Sequence, residues 1–184
     1  AAALLAAPTA ALADAEPLGI RINEVVSSGG SPDDWVEFYN YSEAPVDLSG
    51  YVLQDGSDKN PYTIPEGTVV EPGGFLVFDT LKDGEGDFDF GLGKGDSVRL
   101  FAPGDVNGET PLLQTTWPAD THAVPSWGAK GDGAEVAYEL TAEATKGAAN
   151  VFPVEGEPGE GQPGEGEPGE GEPGEGEPET GAPG

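Results

Sequence analysis

From Leu18 to Asn150, short apolar and β-branched runs alternate with turn residues, and no window spaces its apolar side chains at the 3.6 residues of an amphipathic helix. Residues 19–26 (GIRINEVV) begin with Ile20 and Ile22 on one face and Arg21 and Asn23 on the other, the period-2 pattern of a half-buried strand. Residues 35–40 (WVEFYN) predict a second strand, with Val36 and Phe38 as its buried side and Trp35, Glu37 and Tyr39 opposite. Further strands are predicted at 51–54, 62–64, 68–71, 75–79, 97–101 and 112–117. Ser49-Gly50, Asp55-Gly56, Pro65-Glu66-Gly67, Pro72-Gly73-Gly74 and Pro103-Gly104-Asp105 punctuate them with fixed-φ prolines and glycines free to take positive φ. Seven or eight short strands with no helices between them predict an all-β fold, a β-sandwich or a small barrel, and exclude parallel α/β folds.

The two ends read differently. Residues 1–17 (AAALLAAPTAALADAEP) carry no charge before Asp14 and hold small-x-small cleavage patterns at Ala11-Leu12-Ala13 and Ala13-Asp14-Ala15, the look of a partial, truncated signal peptide. Residues 151–184 are low-complexity, with Pro153, Pro158, Pro163, Pro168, Pro173 and Pro178 at every fifth position, ten Glu, and no Lys or Arg. So few apolar groups cannot offset ordering entropy, so a disordered, extended spacer is expected there. Its Glu177-Pro178-Glu179-Thr180-Gly181 resembles part of a sortase anchoring signal, but it falls in phase with the repeat, which is the simpler reading. Between these ends, residues 18–150 are expected to form one folded domain.

Composition narrows the function. With 35 Asp plus Glu against 7 Lys plus Arg, the net charge of -28 leaves no basic patch for direct nucleic-acid binding and disfavours anionic membranes. The absence of Cys removes disulfides, thiolate metal sites and thiol nucleophiles. No run approaches the about 20 apolar residues of a membrane span.

Seven motifs in series carry a family resemblance: Ile22-Asn23-Glu24-Val25, residues 34–40 (DWVEFYN), residues 46–51 (VDLSGY), residues 62–68 (YTIPEGT), Pro72-Gly73-Gly74-Phe75, Phe90-Gly91-Leu92-Gly93 and residues 95–100 (GDSVRL). Ser126-Trp127-Gly128, Asp132-Gly133 and Lys146-Gly147-Ala148-Ala149-Asn150 continue it to the end of the domain, with Ala129 where an Arg is expected after Trp-Gly. In order and spacing the chain resembles the bacterial branch of the lamin tail domain. That resemblance implies an immunoglobulin-like β-sandwich, no catalysis, and an accessory module of exported proteins, in some cases beside a nuclease or phosphatase domain.

Candidate chemistry is sparse. A triad would have to use His122, the sole imidazole, with Asp120 and a serine such as Ser126, yet no activating turn surrounds them and a solvated loop histidine is the expectation. The acidic loop 83–89 alternates Asp83, Glu85, Asp87 and Asp89 with other residues, so it is the candidate calcium site; calcium is the one cofactor the sequence suggests. Its spacing is not that of an EF-hand, and a solvated acidic loop is the simpler reading; Asp105, Asn107 and Glu109 are a thinner version of the same idea. Glu24 and Glu37 interrupt apolar strands and come close if the first two strands pair; outward orientation into water is the expectation. Trp35, Trp117 and Trp127, with the tyrosines, are expected to pack in core and turns. The reading is a secreted or cell-surface bacterial module that meets an unknown protein or cell-surface partner.

Overall fold

The computed structural model describes residues 18–28, 33–57 and 59–154, so the expected signal peptide at 1–17 and nearly all of the acidic repeat lie outside the described residues. Eleven strands form: β1 (Ile20–Val26), β2 (Trp35–Asn40), β3 (Val46–Asp47), β4 (Val52–Asp55), β5 (Tyr62–Thr63), β6 (Val69–Val70), β7 (Phe75–Asp79), β8 (Ser97–Phe101), β9 (Leu113–Thr116), β10 (Trp127–Lys130) and β11 (Ala137–Leu140). All named pairings are antiparallel. A five-stranded sheet runs β11-β10-β1-β2-β7, a four-stranded sheet runs β5-β4-β8-β9, and β3 pairs with β6. The fold is an all-β, immunoglobulin-like sandwich. Three strands that the alternation of the sequence does not announce, β3, β10 and β11, complete it, and two of them form one edge of the larger sheet.

The core is drawn from alternate positions of facing strands. Val36 and Phe38 of β2 enter it as expected, together with Leu53 of β4, Val98 and Leu100 of β8, and Trp117. Each such side chain, taken fully out of water, contributes about 1.5–3 kcal/mol. On β8 the intervening Arg99 stays half-exposed, its guanidinium on the carbonyl of Asp55.

On β1 the alternation breaks. Ile20 and Ile22 are core residues, and so is Val25, an odd number of positions further on. The pairing explains the change of parity: Ile22 opposes Phe38 and Glu24 opposes Glu37, so Asn23 is an extra residue without a partner. Such a β-bulge turns every following side chain to the other face of the sheet. Without it Glu24 would point into the hydrophobic core; with it, Glu24 joins Glu37 on the outer face.

That outer face is covered. After β11 the backbone N–H of Thr141 donates to Ser126 O at 3.0 Å, and Ala142 N–H donates to Val151 O at 2.8 Å. With the Glu143–Val151 bridge this makes a narrow neck for the closing loop of residues 143–151. The compact unit ends at Pro153.

Candidate functional site

The closing loop meets β1 and β2 at their two carboxylates, both wholly buried. Glu24 accepts hydrogen bonds from the backbone N–H of Thr145 at 3.0 and 3.1 Å, from the Thr145 hydroxyl at 2.8 Å, and from the Ser126 hydroxyl. Ser126 has spent its only proton on Glu24, so the Thr141 hydroxyl donates to it in turn. Glu37 accepts from Asn23 Nδ2 at 2.8 Å and from the backbone N–H of Gly147 at 2.5 Å. The expectation that these glutamates face water is corrected: both leave the core face, but the closing loop shuts over them, and a buried acid needs such donors.

Local sequence explains the seal. Ala148 N–H donates to Thr145 O, and Gly147, third in that turn, has φ +78°, which a glycine adopts without strain. Asn150 then donates from Nδ2 to the carbonyls of Asn23 and Ala129, both at 2.9 Å, and accepts from Asn23 Nδ2 at 3.2 Å. Gly128 makes room for it, because a Cβ there would stand 2.9 Å from Asn150 Nδ2 and 2.7 Å from Thr141 Cγ2. Tyr138 of β11 donates to Ile22 O, beside the bulge, at 2.7 Å, and burial pushes its hydroxyl up to about 12.

Burial likewise pushes Glu37 up from 4.5 to about 7. The Gly147 and Asn23 hydrogen bonds oppose the shift, the charge of Glu24 adds to it, and the Lys146 ammonium works against it. Loss of solvation wins because nothing nearby offers a full counter-charge: Lys146 Nζ is itself paired with Asp79 Oδ1 at 2.5 Å.

Beside the seal lies a cleft of about 410 Å³ bordered by Arg21, Tyr39, Phe75, Asp132 and Phe152. Tyr39 and Phe75 meet at 4.8 Å between ring centres, and the Arg21 guanidinium lies 4.8 Å above the Tyr39 ring. Arg21 donates to the carbonyls of Gly131 at 3.1 Å and Gly133 at 3.2 Å, fixing the β10–β11 turn. Ala129, where an Arg was expected, lines the same cleft.

The other candidates are dispersed. Ser126 is bonded to Glu24, His122 Nδ1 lies 3.0 Å from Ser27 Oγ, and Asp120 is exposed, so no triad assembles. Ser27 is buried and donates to Leu92 O at 2.8 Å, tying loops together. Asp83, Glu85, Asp87 and Asp89 are exposed, on a loop anchored by Phe88 and Phe90 stacked at 4.3 Å. Asp87 accepts from Asp79 N–H at 2.9 Å and from the Tyr62 hydroxyl at 3.3 Å. Among the described residues no three acidic or imidazole side chains gather as metal ligands. Sequence reasoning missed Thr145 and the Gly147 amide; the Lys146-Gly147-Ala148-Ala149-Asn150 motif was their only signal.

A family model of the lamin tail domain matches residues 13–135, more than half of the chain. The chain belongs to the lamin tail domain family. A lamin tail domain is a non-catalytic, immunoglobulin-like interaction module. Its match here covers the carboxylate-bearing strands and stops before β11 and the closing loop. No curated relative and no solved structure matches this lamin tail domain. No helix among its described residues is long and apolar enough to cross a membrane.

Proposed function

We propose that the chain is a non-catalytic interaction module of an exported bacterial protein, held away from its attachment by the acidic Pro-Gly-Glu repeat. The observation that carries this reading is how the polar groups are used. Glu24, Glu37, Asn23, Ser126 and Asn150 are bonded to one another or to backbone, so none is left as an activated base or nucleophile. The open feature beside them is a cleft that sets aromatic rings beside the Arg21 guanidinium and Asp132, a surface that recognises rather than reacts. The alanine-rich start and the repeat support export and a spacer. The partner is a protein or another component of the cell surface.

Protease shaving of intact producing cells tests the address, with antibody against the folded part as readout. The chain is expected in the medium or to be removed from the cell surface; a chain protected inside intact cells overturns the reading. Purified full-length chain is expected to hydrolyse neither DNA nor p-nitrophenyl phosphate above background, and turnover abolished by a point substitution in the cleft would refute the non-catalytic part.

A further inference from the structure

Glu24 and Glu37 occupy one rung of the β1–β2 ladder, and the Asn23 bulge puts both on the same face. Facing like charges destabilise a sheet, and removing two ionised carboxylates from water adds a larger cost. What covers them is weakly held. In the closing loop, Glu143, Ala144, Lys146, Gly147, Ala148 and Ala149 are all exposed, so its tip inserts no apolar side chain into the core. It is docked through the N–H groups of Thr145 and Gly147, the Thr145 hydroxyl, the Asn150 carboxamide and the exposed Lys146–Asp79 ion pair, and three of those five bond the carboxylates themselves. A segment with few apolar contacts opens at low free energy. Its docking is therefore tied to the charge state of the pair.

We propose that the closing loop is a proton-operated lid, docked while the Glu24–Glu37 pair holds one proton and lifting about its Glu143–Val151 neck when the pair carries two charges.

The charged surroundings set the direction. Glu37 faces Glu24 on β1 and the uncharged Val77 on β7, with Lys146 on the lid and Asp79 of β7 paired to that lysine. Glu24 faces Gly128 on β10, and Ser126 and Thr141 beside it bring no charge. Closure holds the Glu37 carboxyl near 7, whereas an opened lid returns it to water and toward the ordinary 4.5. The closed form thus binds the proton more tightly. Docking is strongest below about 4.5, weakens about tenfold per pH unit up to about 7, and levels off above.

Amide hydrogen exchange on the full chain reads this directly. Protection factors of the Thr145 and Gly147 amides, corrected for intrinsic exchange and taken at constant ionic strength, are expected to fall roughly a hundredfold between about pH 4.5 and 7.5. Amides of β4 and β8 in the other sheet, which open only on global unfolding, should stay more protected than these at every pH. Glu37→Gln has no proton to lose and should abolish the fall; if it does not fold, Glu24→Gln should shrink it by removing the facing charge. Protection at Thr145 and Gly147 that stays constant, or that equals that of β4 and β8, overturns the lid. So does a fall that persists undiminished in the variants.

Discussion

The two glutamates share a ladder rung but are held differently. Glu24 collects three donor groups, the Ser126 hydroxyl and the amide and hydroxyl of Thr145, whereas Glu37 has the Asn23 carboxamide and one backbone amide. Removing Glu24 strands several buried donors, and Glu24→Ala is expected to cost roughly 3–5 kcal/mol in urea unfolding of the full chain. Glu37→Gln behaves otherwise because it deletes a charge that the site holds poorly. The raised value of Glu37 means that its stabilising contribution is complete below about 4.5 and is lost as pH climbs to about 7, up to roughly 3 kcal/mol. The glutamine variant escapes that loss while giving up a hydrogen bond at one end of its carboxamide. It should be less stable than the parent at about pH 4.5 and close to it, within about 1 kcal/mol, at about pH 7.5. A variant whose deficit is the same at both values would show that Glu37 is held as an ordinary ionised acid.

At the scale of elements, the bulge decides what β1 presents. Alternation in the sequence correctly assigns Ile20 and Ile22 to the core and pairs Val36 with Phe38, because strand parity is written in the side chains themselves. Asn23 looks like one more outward residue, and nothing local marks it as unpaired; the bulge exists because its partner strand and the closing loop both reward it, through Glu37 and Asn150. The same reason hides β10 and β11. Trp127-Gly128-Ala129-Lys130 is a poor strand by propensity, and Gly128 is required by the approach of Thr141 and Asn150, contacts made from far along the chain. The candidate site was legible as two odd carboxylates and illegible as a covered pair, since the cover comes from residues more than a hundred positions away. Deleting Asn23 tests the parity argument. With the extra residue gone, regular alternation keeps Ile22 and Val25 inward and Glu24 opposite Glu37, so the deletion is expected to unfold cooperatively at lower stability, having lost the Asn23 carboxamide, as Asn23→Ala does with the bulge kept. Loss of cooperative unfolding in the deletion alone would mean that Asn23 is not the extra residue of β1.

For the whole molecule, charge sets the conditions under which these local devices work. A chain with 35 acidic against 7 basic residues repels itself, and three of its described lysines sit in pairs: Lys82 with Asp33, Lys130 with Glu139 and Lys146 with Asp79. These exposed pairs add little, about 0–1 kcal/mol each, so screening by dissolved salt is the larger lever. Raising sodium chloride from about 0.02 M to about 1 M should raise the unfolding temperature by several degrees. Calcium divides screening from coordination. The carboxylates of Asp83, Glu85, Asp87 and Asp89 are exposed and do not gather as metal ligands, and Asp87 is engaged by Asp79 and Tyr62. Millimolar calcium is therefore expected to raise the unfolding temperature of the full chain no more than sodium chloride of equal ionic strength. A site that binds only the folded form would add RT ln(1 + [L]/Kd), a term that grows with calcium and is erased by EDTA. Such an increment, lost in a variant with all four acids of the loop made neutral, would show that the loop closes around the ion, and the acidity would then be partly ligand chemistry rather than surface charge alone.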